Sequence, residues 1–440
     1  MWLMIGIALL AMTIAIIDYF RFFFHIKDDE LRVQKGILTK KNLSIPFDRI
    51  QTVNLEQNLI HQMFNVVKVV VDTAGSVQNE FEFEALKKDK AEALRNLILS
   101  HKSSKALPTA LDAIDDVDEK EEEVFSIDVV NLIKIGITEN HIRSGSLIIV
   151  FLFWIQEALD DVGVNILDYG EKLNLSGTIS TILFFVVVFF ILAFFVSLFK
   201  TVLVYFNLKL KRRKDGFDLV YGLLNRKQVA ALDNKIQMMS WSDNLLKKIL
   251  GFHDLQLKQA SSIAVNSKKS IRIPGCKIEQ VEQVAASLYD NFTFAPEAYQ
   301  SISKKYFYRL AIYLTLIAAI ALTASFFLEA ESLRYYPIIG CIYFIVTGYF
   351  KWRKTKYAYN QDMINLKSGI YADKATLIPI YKIQAMDLKQ NLYQRRHHLA
   401  SLKLYTASGS QIIPYITIKS AQEIMNYFTH LIEVDRRKWM

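Results

Sequence analysis

Three sets of a glycine, a glutamine and an asparagine recur along the chain at constant spacing, and their side chains are the first candidates for chemistry. The sets are Gly36, Gln51 and Asn58; Gly222, Gln237 and Asn244; and Gly369, Gln384 and Asn391. Amide side chains donate and accept hydrogen bonds, so the glutamines and asparagines could line a common binding groove. Alternatively, all three residues have structural roles. The glycine ends a turn, and the asparagine side chain forms a hydrogen bond with the local backbone at a turn or helix start. The glutamine side chain forms a hydrogen bond with exposed backbone groups at a barrel edge. We favour this structural interpretation, because a repeated fold needs the same device in each copy.

A basic run follows an apolar segment and is the candidate for contact with anionic lipid. It comprises Lys211, Arg212, Arg213 and Lys214. A basic residue close to an anionic leaflet contributes about 1 kcal/mol of binding free energy. The same charges orient a membrane span, and we favour that role.

Other residue types that could do chemistry form no recognisable site. There is no glycine-rich phosphate loop, no His-Glu-x-x-His zinc pair and no serine in a nucleophile elbow. His397 and His398 could form a weak metal or pH-sensing site, and His253 with Asp254 an acid–base pair. Adjacent side chains point in different directions, so a solvated polar patch is favoured for both pairs. Two cysteines are too few for a disulfide framework or a four-cysteine metal site. The sequence predicts no catalytic residue, no cofactor and no metal.

Composition indicates a membrane protein. Of 440 residues, 52% are hydrophobic, with 29 Phe and 21 Tyr. The net charge of +9 is modest, and the densest basic runs flank apolar segments instead of covering a folded face. Nucleic acid is therefore excluded as a partner.

The recurring residues belong to a longer unit, whose first copy includes LRVQKGILTKKNLSIPFDRIQTVNLEQNLIHQMFNVVKVVVDTAGS at 31–76. The run 66–73 is β-branched and predicts a buried strand, and 81–84 alternates Phe with Glu as a half-exposed strand does. An amphipathic helix follows, with Ala91, Leu94, Leu97 and Ile98 on its apolar stripe. Each copy is therefore predicted to be several strands closed by one helix.

Apolar and charged segments predict how the copies are linked. A signal peptide is the alternative for the first apolar segment, but no basic leader or cleavage site supports it. The segment at 147–159 is short and needs flanking residues to cross a bilayer of about 30 Å. The predicted order is a transmembrane helix at 1–25, copy one at 26–101, an acidic linker at 102–123, an interfacial helix and transmembrane hairpin at 124–207, copy two at 208–292, a second hairpin at 303–352 and copy three at 357–435.

Charge predicts the orientation. Two crossings separate neighbouring copies, so all three copies should face one side of the membrane. Lys and Arg follow the first, third and fifth spans, whereas the opposite loops hold only Lys172 and Arg334. Lys and Arg enrichment marks the cytoplasmic side, so the three copies are predicted to be cytoplasmic.

The chain resembles the bacterial pleckstrin-homology-like (PH-like) multi-pass membrane proteins. The resemblance is carried by RVQKGILTKKNLSIPFDRIQTV, LVYGLLNRKQVAALDNKIQMMSWSDN and NLKSGIYADKATLIPIYKIQAMDLKQN. It implies membrane α-helical spans plus three small α+β PH-like domains, each an open β-barrel of about seven strands with a C-terminal helix. It implies no catalytic activity. Such proteins usually begin with two spans, so either an upstream start is lost here or the N-terminus lies outside.

Three function classes remain after these observations. The favoured one is a non-catalytic adaptor or scaffold in the bacterial cell membrane, which presents three cytoplasmic PH-like domains to proteins, peptides or lipid headgroups. The expected partners are the lipid bilayer, anionic lipid headgroups and, from the resemblance, a smaller PH-like membrane relative. The alternative is a transporter or channel component, although the predicted spans carry few polar groups near mid-bilayer. An enzyme acting on lipid or peptidoglycan precursor has only the membrane location in its favour.

Overall fold

The computed structural model describes residues 6, 13, 17, 21, 23–35, 41–73, 81–104, 122–139, 150, 154, 157–158, 179–260, 270–289, 299–327, 335–435 and 437. The chain divides into two compact units, which are described separately. One comprises residues 1–120 with 225–230, and the other comprises residues 121–224 with 231–440.

The first repeat consists of two three-stranded antiparallel sheets and a closing helix. Its elements in chain order are β1 (Phe23–Lys27), β2 (Glu30–Lys35), β3 (Lys41–Pro46), β4 (Ile50–Gln57), α1 (Leu59–Met63), β5 (Val66–Thr73), β6 (Phe81–Lys87) and α2 (Lys88–Ser104). Strand β2 pairs with β1 and β3, and β5 pairs with β4 and β6.

Alternation along these strands builds the core of the first repeat. Val67, Val69 and Val71 of β5 are buried, as a period of two places them on one face. Helix α2 covers that face with Ala91, Leu94 and Ile98. Leu97, predicted on the same stripe, is instead 44% exposed.

The segment before the second repeat differs from its prediction. A strand, β7 (Glu122–Ser126), begins where the acidic linker was expected to continue, and helix α3 runs only over Val129–Thr138. The strand forms because its acidic residues lie opposite the basic run: Glu123 pairs with Lys211 and Glu122 with Arg212. Opposite charges facing each other across strands stabilise the pairing. Leu132 and Ile135 of α3 are buried, whereas Val129 and Ile133 are exposed.

The second and third repeats have the same element order as the first. After α4 (Ile179–Tyr205), the second repeat comprises β8 (Lys209–Arg213), β9 (Gly216–Tyr221), β10 (Arg226–Leu232), β11 (Ile236–Ser242), α5 (Leu245–Ile249), β12 (His253–Gln259), β13 (Ser270–Cys276) and α6 (Ile278–Leu288). The third part of the chain comprises β14 (Gln300–Ser301), α7 (Lys305–Phe327), α8 (Tyr335–Lys354), β15 (Lys356–Tyr359), β16 (Met363–Gly369), β17 (Asp373–Pro379), β18 (Ala385–Lys389), α9 (Leu392–Arg396), β19 (Leu399–Thr406), β20 (Gly409–Thr417) and α10 (Ile418–Val434).

Repeats two and three each gain one strand from a segment that precedes their apolar helices in the sequence. Strand β7 pairs with β8, and β14 pairs with β15. With these additions the second and third repeats each have seven strands, the number that the family resemblance implied.

The repeats share sheets. In the second unit one seven-stranded sheet has the order β13-β12-β11-β17-β16-β15-β14, so β11 of repeat two pairs with β17 of repeat three. Counted from β8 and from β15, these are the fourth strand of repeat two and the third strand of repeat three. In the first unit, residues 226–228 of β10 pair with β4. Among the described residues no closed barrel is found, because strand pairing continues from one repeat into the next.

Among the described residues, two helices are long and apolar enough to cross a membrane: residues Val186–Tyr205 of α4, and α7. Helix α8 packs against α7, and Gly348 lies close to the Leu310 side chain at this contact. Its last turn carries Lys351, Arg353 and Lys354. The predicted transmembrane helix at 1–25 is wrong at its end, because residues 23–25 form the start of β1. Before them only residues 6, 13, 17 and 21 are described, and of the predicted span at 147–159 only residues 150, 154 and 157–158 are described.

Candidate functional site

The three recurring asparagines each begin a short helix. The side-chain oxygens of Asn58, Asn244 and Asn391 accept hydrogen bonds from the backbone N–H three residues later, each at 2.8 Å. A side chain in this position satisfies a helical N–H that has no partner within the helix. The described contacts of the three side-chain oxygens are therefore helix caps, the contact that the structural interpretation predicts.

The recurring glycines lie at turns with positive φ where they are described. Gly222 has φ 105° and Gly369 has φ 146°, while Gly36 lies outside the described residues. A Cβ at Gly369 would lie 1.8 Å from the Ala372 carbonyl oxygen, so the turn into β17 requires glycine.

The recurring glutamines have different environments. Gln237 is fully buried, whereas Gln384 is exposed and its backbone N–H donates to the Tyr405 carbonyl at 2.8 Å. The side chain of Gln51 lies outside the described part of the chain. Gln237 and Gln384 therefore have environments that are not equivalent.

The basic run lies in β8 and the turn after it, and its arginines are engaged within the protein. Arg212 donates two hydrogen bonds to the Asp233 carboxylate, both at 2.7 Å, and lies over the Phe217 ring. Arg213 lies 3.6 Å from Asp218, and Lys214 is exposed. Burial raises the pKa of Asp233 despite its Arg212 partner. Both arginines thus hold the second repeat together.

The histidine pairs do not form joint sites. His398 has φ 53° at the turn after α9, the position that Asn65 and Gly251 occupy with φ 51° and 68° in the other repeats. His397 packs edge-on against Tyr393 instead. His253 lies 3.9 Å from Asp243, whereas its neighbour Asp254 bonds Lys247. No cluster that could hold a metal occurs among the described residues.

The strongest candidate site is a basic cavity of about 610 Å³ where repeats two and three meet. Strands β11, β15, β16 and β17, helix α5 and the end of α8 contribute its charged residues. Its basic side chains are Lys248, Arg353, Lys354, Lys356, Lys367 and Lys374, and its carboxylates are Asp243 and Asp373. The cavity therefore has a clear excess of positive charge.

One carboxylate is shared between two of these lysines. The Asp373 carboxylate accepts from Lys248 at 2.5 Å and from Lys354 at 2.6 Å. Burial alone would raise the pKa of Asp373, but the two lysines hold it below its usual value. Asp373 thus forms ion pairs with Lys248 and Lys354, and its charge acts on Lys367 only as a minor opposing effect.

Two other lysines face each other without a carboxylate. Lys356 and Lys367 are direct cross-strand partners on β15 and β16, and neither forms an ion pair among the described residues. Lys367 also lies 3.9 Å above the Tyr299 ring. Burial, and then the charge of Lys356, lower the pKa of Lys367. Like charges directly opposite destabilise a sheet, and an anion between them would remove that cost.

The position of the cavity suits a headgroup phosphate. Arg353 and Lys354 lie in the last turn of α8, and basic residues at the end of an apolar helix are typical of the membrane interface. The cavity was not predicted from the sequence, because the pairing that brings Lys248 and Asp243 of repeat two beside the lysines of repeat three leaves no local pattern. The run KWRKTK at 351–356 is the one local signal that could have indicated it.

Comparisons with known proteins agree with this repeated architecture. The sequence matches the bacterial PH domain over residues 1–102, 162–292 and 305–432. It is 21% identical over 412 residues to the UPF0699 transmembrane protein YdbT of Bacillus subtilis strain 168, covering 90% of this chain and 82% of that protein. It is also 25% identical over 83 residues to YdbS, a UPF0699 transmembrane protein of the same strain, covering 19% of this chain and half of that protein. These matches confirm the predicted resemblance: the chain belongs to the bacterial PH domain family.

Proposed function

We propose that the chain is a non-catalytic membrane adaptor whose PH-like repeats lie at the cytoplasmic face and bind anionic lipid headgroups. The observation that carries the proposal is the basic cavity between repeats two and three. Its lysine pair, Lys356 and Lys367, offers two cationic groups without carboxylate partners in the described structure. The end of α8 brings this pair close to the depth at which lipid phosphates lie.

The adaptor part of the proposal follows from the repeat arrangement. Three PH-like repeats tethered to one membrane face would present several weak binding surfaces at high effective concentration. Lipid bound at the junction of repeats two and three would also fix those two repeats relative to the bilayer. The multi-pass arrangement and the cell-membrane location belong to this proposal, supported by the two apolar helices and the names of the relatives.

Lipid binding by the purified full-length chain tests the proposal. We expect short-chain phosphatidylglycerol to bind more tightly than phosphatidylcholine in native mass spectrometry or titration. Replacement of Lys356 and Lys367 by Gln should weaken phosphatidylglycerol binding roughly 30-fold, at about 1 kcal/mol for each charge. The matched control, Lys403→Gln with Lys419→Gln, removes two lysines that lie outside the cavity.

Three outcomes would contradict it. The first is equal affinity of wild type and the Lys356/Lys367 variant for phosphatidylglycerol, and the second is an equal loss in the control. The third is binding of free glycerol phosphate as tightly as the lipid, which would indicate a soluble phosphate ligand. The expected binding weakens with added salt, since screening reduces these interactions.

A further inference from the structure

The last repeat leaves one sheet edge open. Strand β18 lies at the end of the order β18-β19-β20, and within the described residues nothing pairs with its outer edge. The equivalent strand of repeat two, β11, pairs on that edge with β17. An exposed edge strand is a template for pairing with another chain.

The two junctions inside the chain use the same register. In the second unit Ser242 pairs with Lys374 and Trp241 with Ala375. In the first unit the residues at the same repeat positions also pair, Glu56 with Lys227 and Leu55 with Gln228. The fourth strand of a repeat thus accepts the third strand of the next repeat at a fixed position.

Charge accompanies each junction. The Lys227 ammonium lies 2.6 Å from the Glu56 carboxylate. At the next junction the Lys248 ammonium lies 2.5 Å from Asp373. The first contact joins the two paired strands, whereas the second joins helix α5, which follows β11, to the first residue of β17.

The open edge of β18 has a basic residue at each of these two positions, and the Asp387 carboxylate of the same strand lies 3.9 Å from the Lys389 ammonium. By repeat spacing, Lys389 stands where Glu56 and Ser242 stand, and Arg395 stands where Lys248 stands. Both side chains are exposed. In the sequence, Lys41 and Lys40 stand at the repeat positions of Lys374 and Asp373, so a second copy of this chain would offer like charges to Lys389 and Arg395.

We propose that the edge of β18 docks the third strand of a PH-like repeat from a different polypeptide, with acidic residues opposite Lys389 and Arg395. Backbone hydrogen bonds would supply affinity, as in other cases of strand addition. The two positive charges would supply specificity by excluding a second copy of the chain. The inference rests on the adaptor role proposed above and names the class of partner, while lipid binding depends on other residues.

Variants of the full-length chain test the edge directly, because the chain can be made to supply its own acidic strand. We expect wild type to be monomeric in detergent by light scattering. Replacement of Lys40 and Lys41 by Glu should produce association at least tenfold stronger than in wild type. Replacement of Lys389 and Arg395 by Glu should do the same, and combining all four changes should abolish association again.

Register is checked by disulfide formation. Asp387→Cys and Leu43→Cys should cross-link in the Lys40→Glu/Lys41→Glu chain, since the junction register places them opposite each other. Asp387→Cys with Ser44→Cys should not, because that pair is one residue out of register. Thermal unfolding of each variant verifies that it is folded.

Self-association of the wild type would overturn the choice of partner. Absence of association in both double variants, or cross-linking in the wrong register, would overturn the docking edge itself. None of these results bears on the lipid-binding variants, so the two proposals fail separately.

Discussion

Strands β11 and β18 occupy the same position in repeats two and three, yet one is interior and the other is an edge. In β11, Met239 is fully buried and Ser240 is 2% exposed. Their counterparts in β18, Met386 and Asp387, are half-buried and exposed. The difference arises because repeat three covers β11 with β17, whereas no described strand covers β18. One module therefore yields either a core strand or an open edge, depending on whether a strand of another repeat pairs with it.

A second difference concerns the polar pair beneath the short helix of each repeat. In repeat two the buried Lys247 ammonium contacts Asp254 at 2.7 Å and Glu139 at 2.9 Å, and Arg272 contacts the same two carboxylates. At the same positions repeat three has Gln394, which donates to the Ser401 hydroxyl at 2.7 Å. The charged network anchors the end of α3 to repeat two, and repeat three has a neutral hydrogen bond instead.

The largest predicted effect is the loss of stability when the polar residue beneath the short helix, Lys247 or Gln394, is replaced by Met. Lys247→Met should destabilise the second repeat by roughly 3–5 kcal/mol, because two buried carboxylates then share only Arg272. Gln394→Met should cost about 1 kcal/mol, the value of a neutral hydrogen bond. Thermal unfolding of the two full-length variants measures the contrast. Equal losses of stability would show that charge at this position is unimportant.

The next effect comes from a buried lysine in the turn before β18. Lys382 is 1% exposed, and its ammonium donates to the Asn234 carbonyl at 2.6 Å. Burial, and then the charge of Lys235, lower the pKa of Lys382 to about 8. The unfolded chain binds more protons here between pH 8 and about 10.5, so this lysine makes stability rise with pH across that window. Below pH 8 its cost to stability is constant.

Lys382→Met should therefore stabilise the protein by about 1–3 kcal/mol at pH 7 and remove this rise. Lys235→Met, at the matching and more exposed position of repeat two, should change stability by less than about 0.5 kcal/mol. Unfolding temperatures from pH 7 to 10 provide the measurement. A pH profile that Lys382→Met leaves unchanged would refute the buried-charge interpretation.

Local features of this fold were readable from sequence, whereas contacts between distant strands were not. The recurring asparagines fall at helix starts because a short side chain there bonds backbone three residues away, which spacing alone reveals. The pairing of β11 with β17 and the cavity depend on residues more than a hundred positions apart, and no local pattern encodes that register. Strand β7 is a partial exception among the contacts between distant strands. Glu122 and Glu123 lie opposite Arg212 and Lys211, so the complementary charges of the two segments could have indicated the pairing. The sequence analysis instead predicted a linker there from the acidic composition.

The smallest predicted effect is the difference in stability lost when the helix-capping asparagines of repeats one and two are replaced. Asn244 and Asn58 each accept one helical N–H, but the Asn244 amide also donates to the Thr138 carbonyl at 2.7 Å, at the end of α3. Asn58→Ala should cost about 1 kcal/mol, and Asn244→Ala about 2 kcal/mol, since it also leaves a carbonyl without its donor. Thr138 is buried, so water cannot easily replace the lost donor. If unfolding experiments gave equal costs for the two substitutions, the contact with α3 would contribute nothing, and only the charged network would anchor that helix.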